Sequence, residues 1–230
     1  MRHPLATSYS QHSGHGDRNL QADIRGSDMN QTRVVQALLL FVSSVATSFA
    51  LAQPPTTTDD ITKAVVLVAK PELNDPIYGR TVLVVTPLNR DRHVGFIVNR
   101  PTGATLGKLF PSADAAQKVV DPVYLGGPMG TQVLFALVQR SDGPSKTSVE
   151  LMPGLYAAAD VTTVDNIIQF ESDHARFVTG FVAWRPGELR DEVALGAWYV
   201  LEADPSLALR KPDGLWEELV QSLQRAEKSI

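Results

Sequence analysis

The chain has 230 residues, of which 43% are hydrophobic and 20% charged, and its formal net charge is −4. This composition is typical of a globular protein long enough to bury a core, and its acidic balance excludes the basic field that drives non-specific nucleic-acid binding. Cysteine is absent, which excludes thiol catalysis, disulfide bonds and thiolate metal sites.

The first 52 residues have the pattern of a leader. Residues 1–28 are polar and aperiodic, which predicts disorder or a misassigned start, with Met29 as the true first residue. Residues 29–52 contain one arginine, an apolar run over 34–50 and Ala-Leu-Ala, the order of a cleaved secretory signal. We predict a periplasmic or secreted protein that begins at Gln53. The alternatives are an uncleaved membrane anchor and a cytoplasmic location.

The remaining chain is more acidic than the whole. Residues 1–52 hold four of the 21 basic and three of the 25 acidic residues, so their removal leaves a net charge of about −5. Residues 53–63 are predicted to be a linker, and 64–230 a single domain.

In the domain, short β-branched apolar segments predict strands. These are Ile61–Ala69, Arg80–Thr86, Val94–Val98, Val123–Leu125, Val133–Val138, Val149–Met152, Arg176–Ala183 and Trp198–Leu201. Helices are predicted at Thr105–Phe110, Val161–Glu171, Glu188–Leu195 and from residue 214 onward, where Asp213 is the expected N-cap. Because strands outnumber helices without regular alternation, the sequence predicts an α+β fold with a mixed sheet.

A glycine-rich turn, Gly126-Gly127-Pro128-Met129-Gly130, follows one predicted strand. A phosphate-binding loop needs a lysine and free backbone N–H groups, but this turn has no lysine and Pro128 has no N–H. We therefore predict that Gly126 and Gly127 serve backbone geometry with positive φ. A phosphate-cradling loop is the alternative.

Two histidines, His93 and His174, lie in the domain. They are far apart in sequence and lie in polar segments, so we expect both to be solvated. No G-x-S-x-G elbow accompanies them, and their spacing does not form a zinc pair. The sequence predicts neither a metal site nor a cofactor.

Four segments, "AKPELNDPIYGRTVLVV", "HVGFIVNRPTG", "VYLGGPM" and "GFVAWRPGELRDEVALGAW", resemble the AlgH/YqgE family of bacterial proteins. The matching residues are Pro71, Leu73, Asp75, Pro76, Gly95, Asn99, Arg100, Pro101, Gly126, Gly127, Pro128, Gly180, Trp184, Gly187, Leu189, Glu192 and Trp198, with Trp216 in the last helix. Tyr78 stands where the family usually has phenylalanine, Val138 where it has histidine and Glu188 where it has glutamine. The resemblance implies a bent mixed β-sheet forming a pseudo-barrel flanked by helices, and a regulatory role often described as transcriptional.

Two hypotheses for function follow. The first is an exported binding module that contacts a small ligand or an envelope protein through Asp75, Asn99, Arg100, Gly126 and Gly127. The second is a hydrolase-type enzyme with Asp75 or His93 as base and Arg100 as anion stabiliser. The family name also implies a cytosolic transcriptional regulator, but the acidic charge, the leader and the lack of a recognisable helix-turn-helix argue against nucleic acid. Membrane contact is expected only if the leader is uncleaved.

Overall fold

A computed structural model describes residues 61–89 and 91–228. Within this range are ten strands: β1 Val65–Ala69, β2 Val82–Asn89, β3 Arg92–Ile97, β4 Pro101–Thr105, β5 Pro122–Leu125, β6 Met129–Gln139, β7 Val149–Met152, β8 Leu155–Ala158, β9 Ala175–Trp184 and β10 Trp198–Glu202. The helices in the same range are α1 Leu106–Leu109, α2 Asp114–Lys118, α3 Val161–Phe170, α4 Glu188–Ala194 and α5 Leu215–Glu227. Two 3₁₀ turns, Ser172–His174 and Pro205–Ala208, lie between them.

The strands form one curled sheet in the order β10-β1-β2-β3-β9-β6-β8-β7. Every pair along this path is antiparallel. Strand β5 pairs with β4 and runs parallel to β9, which makes the sheet mixed. The predicted fold class is therefore confirmed: an α+β protein with a bent mixed sheet in the shape of a half-barrel, flanked by helices.

The sheet is covered on both faces, which explains its nearly continuous apolar strands. In β1, Val66 and Val68 pack in one cluster with Leu215 and Val220 of α5. The alternate residues of the same strand pack in a second cluster with α4. A third cluster joins α1, α2 and α3 to β6 and β9. The candidate site is formed by the loop between β1 and β2, the residues after β3 and the turn after β5.

Helix α3 begins as its sequence predicts. Asp160 Oδ1 accepts a hydrogen bond from the backbone N–H of Thr163 at 3.0 Å, which caps the helix. Burial raises the pKa of Asp160, but hydrogen bonds from Thr163, Thr147 and Ser145 outweigh burial and leave that pKa below its ordinary value. The predicted cap of the last helix is wrong. The N-cap of α5 is Gly214 at φ 72°, without a side-chain cap bond.

Other sequence predictions differ from the structure mainly at element boundaries. The first strand begins at Val65 rather than Ile61, and β6 begins at Met129 rather than Val133. The sequence did not predict β4, β8 or α2. These elements have four or five residues each, too few to show a period.

The predicted leader and most of the predicted linker lie outside the described residues. No helix among residues 61–89 and 91–228 is long and apolar enough to cross a bilayer.

Candidate functional site

Three of the motif segments meet where β3 ends. Backbone hydrogen bonds join Ile97 N–H to the Gly126 carbonyl at 2.8 Å and Leu125 N–H to the Arg100 carbonyl at 2.9 Å. The loop between β1 and β2, residues 70–81, contacts the same place through Asn99 and Arg100. We call this region the β3–β4 junction. It brings together the segments that carry all five predicted binding residues.

Asp75 shapes its own loop. Its Oδ1 accepts hydrogen bonds from the backbone N–H groups of Ile77 and Tyr78, both at 2.8 Å. Its carbonyl accepts from Gly79 N–H at 2.9 Å. An aspartate that satisfies the amides two and three residues ahead fixes a turn. One of its two carboxylate oxygens is therefore committed to loop structure.

Asn99 ties this loop to the sheet. Its Oδ1 accepts from Val82 N–H at 2.8 Å, and its Nδ2 donates to the Arg80 carbonyl at 3.0 Å. Both hydrogen bonds of the Asn99 side chain therefore go to main-chain groups. Arg80, whose carbonyl group Asn99 contacts, has a left-handed backbone conformation with φ 60°. This conformation costs energy for any residue with a Cβ atom.

Arg100 donates to two carbonyl groups of the 70–81 loop. Its Nη1 lies 3.1 Å from the Pro76 carbonyl and its Nη2 lies 3.4 Å from the Gly79 carbonyl. Within the described part of the chain, no carboxylate forms an ion pair with this guanidinium. Arg100 therefore supports the loop and has no carboxylate partner among the described residues.

Gly126 and Gly127 do not have positive φ, so the predicted reason for these glycines is wrong. They allow close approach to β9 instead. A Cβ atom on Gly127 would overlap the backbone carbonyl of Phe181 and lie 2.7 Å from the Val182 nitrogen, and one on Gly126 would overlap the Gly180 carbonyl. The positive φ in this turn belongs to Gly130, at 62°.

The Gly126 amide also argues against a phosphate loop. It donates to the Thr179 carbonyl at 2.8 Å, so it is engaged within the sheet. A phosphate cradle needs several backbone N–H groups that point toward an open concavity. The arrangement favours a structural role for this turn.

His93 is buried, with 1% of its surface exposed, so the expectation that it is solvated is wrong. Its Nε2 lies 2.7 Å from the Ile61 carbonyl, and its Nδ1 has no hydrogen-bond partner among the described residues. His93 lies near the start of β3, and the four residue steps of strand from His93 to Ile97 alone span roughly 13 Å at 3.3 Å per residue. Arg100 lies three residues beyond the end of that strand. Of the two candidate bases in the hydrolase hypothesis, Asp75 therefore lies in the loop that Arg100 contacts, whereas His93 lies at the other end of β3.

Away from the junction, His174 is exposed on a 3₁₀ turn, as expected. Among residues 61–89 and 91–228, no group of three histidine or acidic side chains is arranged to hold a metal. A surface depression of about 290 Å³ lies on α5, lined by Gln221, Gln224, Arg225 and Lys228. It shares no residue with the β3–β4 junction.

The fourth motif segment is cross-linked by hydrogen bonds and contacts the 70–81 loop. Glu192 Oε2 accepts from both Trp184 Nε1 at 3.0 Å and Trp198 Nε1 at 2.7 Å. The ring of Tyr78 meets that of Trp198 edge-on, with centroids 6.3 Å apart. Burial, followed by the charges of Glu192, Asp75 and Glu188, raises the pKa of Tyr78. Trp184, Glu192 and Trp198, which match the family motif, therefore have a structural role that the sequence did not predict.

The sequence analysis missed a buried arginine. Arg176 on β9 is 7% exposed. It donates at 2.6 Å to both the Val98 and the Arg210 carbonyl groups, and it lies 4.2 Å from the centroid of the Tyr124 ring. Burial lowers its pKa, while Tyr124 and Asp121 oppose that shift. A charged residue inside an apolar strand was the available signal.

The curled sheet with β9 at its centre and helices on both faces is a known bacterial fold. It is similar to the solution structure of the AlgH protein from Pseudomonas aeruginosa, with a TM-score of 0.58 and 22% identity over 74% of this chain and 92% of that one. A crystal structure from Corynebacterium diphtheriae has a TM-score of 0.58 and 19% identity over 76% and 90% of the two chains.

The AlgH-like family model matches residues 66–227, so this chain belongs to the AlgH-like family. A UPF0301 protein of Myxococcus xanthus is 30% identical over 161 residues, which cover 68% of this chain and 88% of that relative. One from Methylococcus capsulatus is 35% identical over 161 residues, or 67% and 87% of the two chains. Family membership agrees with the resemblance found in the sequence motifs.

Proposed function

We propose that this protein is an exported binding module that contacts an envelope partner through the β3–β4 junction and acts as a regulator rather than as an enzyme. One observation carries the proposal. The polar residues of the junction hold a preorganised loop and leave Arg100 without a carboxylate partner in the described chain, while the candidate base His93 is buried near the opposite end of β3. Preorganised loops on a rigid sheet favour binding, because little order is lost on association.

Export is proposed from the leader pattern alone. The arginine, the apolar run and the Ala-Leu-Ala site in residues 29–52 support cleavage before Gln53. Fractionation followed by N-terminal sequencing tests this part. We expect an envelope protein that starts at Gln53. An intact cytosolic chain that retains Met29 would contradict export.

Affinity capture tests the binding role. The tagged protein is expressed in its native host and crosslinked to its envelope neighbours, in parallel with Arg100→Ala and Arg185→Ala. Arg185 is 85% exposed and follows Trp184, which pairs with His93 at the opposite end of β3, so it is a matched arginine control. We expect a partner that Arg100→Ala loses and Arg185→Ala retains. Equal capture by all three proteins would contradict the assigned surface.

A further inference from the structure

Strand β10 is the last strand on one side of the sheet, and its outer edge is open. In the order β10-β1-β2-β3-β9-β6-β8-β7, no strand of the described residues pairs with β10 on the side away from β1. Val200, at the centre of the strand, has 42% of its surface exposed. An open edge presents backbone N–H and carbonyl groups with which another strand can pair.

The register between β1 and β10 shows which backbone groups face outward. Lys70 N–H donates to the Ala197 carbonyl at 2.9 Å. Facing residues of an antiparallel pair alternate between hydrogen-bonded and non-hydrogen-bonded pairs. Val200 faces Leu67, three pairs further along, so this pair is not hydrogen-bonded. The N–H and carbonyl groups of Val200 therefore point away from β1.

Trp198 and Glu202 are oriented in the same way, because each lies two residues from Val200 in the strand. Ala69 faces Trp198, yet its N–H donates at 2.9 Å to the Thr81 carbonyl, on the other side of β1. This bond agrees with the assignment. The outer edge of β10 therefore carries the backbone polar groups of Trp198, Val200 and Glu202.

Two other strands of the described sheet lie at an edge, and both are protected where β10 is not. The pairing of β7 with β8 is irregular between Glu150 and Met152, and Met152 is buried. Strand β4 begins at Pro101, and its pairing with β5 is also irregular. Proline, bulges and lysine are the usual means by which an edge avoids pairing with another chain. Strand β10 is Trp-Tyr-Val-Leu-Glu and pairs with β1 without a break over all five residues.

The described chain begins on the side of β1 that faces away from this edge. The Ile61 carbonyl lies 2.7 Å from His93 Nε2. His93 belongs to β3, which is three places from β10 in the strand order. The position of Ile61 therefore favours another molecule, rather than the preceding residues of the same chain, as the partner of β10.

We infer that β10 pairs antiparallel with β10 of a second copy of this chain, about a two-fold axis at Val200. Val200 then faces Val200 of the second copy as a hydrogen-bonded pair, and Tyr199 faces Leu201. Two-fold contacts between identical surfaces are the commonest way in which identical chains associate. The inference goes beyond the proposed function, because it uses no residue of the β3–β4 junction.

This register brings no like charges together within the strand pair. Glu202 is the only charged residue of β10, and it faces Trp198 of the second copy. The two Glu202 residues lie four residue steps apart along the paired strands, roughly 13 Å, which exceeds the screening length of about 8 Å at physiological salt. The remaining pairs join apolar and aromatic side chains, and such cross-strand pairs stabilise antiparallel sheets. The edge of β10 is therefore complementary to itself.

Sedimentation equilibrium of the protein purified from its native host tests the association. We expect the mean mass to rise from one chain toward two as the protein concentration approaches the millimolar range. Val200→Lys places two lysines face to face, so it should raise the dissociation constant of the dimer at least tenfold. Val200→Thr keeps a β-branched residue and should change that constant less than threefold. Val161→Lys is the matched control, because Val161 is 40% exposed and lies on α3, and it should change the constant less than twofold.

Charge exchange separates a lost contact from a lost fold. Val200→Lys and Val200→Glu should each be monomeric alone, because like charges face each other across the two-fold axis. An equimolar mixture of the two variants should form a dimer that contains one chain of each, since opposite charges then face each other.

A cysteine variant tests the register. The chain has no cysteine, so Val200→Cys can be linked in oxidised glutathione only through residue 200 of two copies. Facing Cα atoms of a hydrogen-bonded antiparallel pair lie about 5.5 Å apart, within the range that a disulfide spans. We expect a disulfide-linked dimer from Val200→Cys and none from Val161→Cys.

The inference is wrong if the wild type stays monomeric at millimolar concentration, if Val200→Lys dimerises as tightly as the wild type, or if the mixture of the two charged variants does not associate. A monomeric wild type whose envelope partner is lost in Val200→Lys would assign the edge to a strand of that partner instead. Capture that depends on Arg100 is a separate result, so the proposed function stands or fails independently of the dimer.

Discussion

Replacing Gly127 by alanine tests the close approach between the glycine turn and β9. The added methyl group would overlap the Phe181 carbonyl and lie 2.7 Å from the Val182 nitrogen, whereas carbon contacts are favourable only at about 3.5 Å or more. The neighbouring atoms belong to the backbone of a central strand, so they cannot turn aside as a flexible side chain would. The turn and β9 would have to separate by roughly 1 Å.

That separation determines how much the free energy of unfolding falls. It would break or stretch two hydrogen bonds of Gly126, one to the Thr179 carbonyl and one from Ile97 N–H, at about 1 kcal/mol each. Residual overpacking adds about 1 kcal/mol or more. We expect Gly127→Ala to lower the free energy of unfolding by about 3 kcal/mol, which corresponds to a melting temperature lower by roughly 6 to 12 °C for a domain of this size.

Thermal melting followed by circular dichroism measures the effect, with Gly103→Ala as the control. Gly103 is exposed on β4, and a Cβ atom there would meet nothing within 4 Å, so its change should stay within about 0.5 kcal/mol. If Gly127→Ala melts together with the control, the steric reasoning is refuted. A rise in the wild-type melting temperature with millimolar ATP, absent in Gly127→Ala, would support the phosphate-cradling alternative.

Three further results are expected. Glu192→Ala should destabilise the protein by about 3 kcal/mol, because two indole N–H groups lose their acceptor, and Glu192→Gln should cost less; denaturant unfolding measures both. The stability advantage of wild type over Asp160→Asn should be fully present above pH about 4 and shrink as the pH falls through the lowered pKa of Asp160, because the unfolded carboxyl takes up a proton first; a difference that grows toward low pH would contradict this sign. Removal of residues 1–52 should leave the melting temperature unchanged, and a large drop would show that the leader packs on the domain.

Strands with strong β-branched content were predictable from sequence, and short elements were not. The runs at β1, β2 and β9 carry the signal of buried strands because both faces of the sheet are covered. Strand β4, Pro-Thr-Gly-Ala-Thr, has little intrinsic strand preference. It is extended because Pro101 and Thr105 pair with residues of β5, and such pairing is a tertiary interaction that local sequence does not encode.

The candidate site also has features that were predictable from the sequence and features that were not. The bonding of Asn99 to main-chain groups was predictable, because asparagine beside a turn commonly satisfies local backbone groups. The burial of His93 was not, because Asp91 and Arg92 make its surroundings look polar in sequence. In strand β3, His93, Gly95 and Ile97 point to the same face of the sheet, and this face lies against the core. Which segments meet at the β3–β4 junction depends on the order of the strands, and no sequence spacing shows it.

The position of β9 sets the order in which this protein can fold. This strand lies between β3 and β6, yet it is the ninth of the ten strands along the chain. While the chain is being synthesised, β1, β2 and β3 can form hairpins, but β3 keeps an open edge until residues 175–184 arrive. Pairing that joins distant segments is slow, and an open edge is prone to aggregation. This delay suits the export proposed above, in which the chain crosses the membrane unfolded, since the sheet closes only after residues 175–184 have been made.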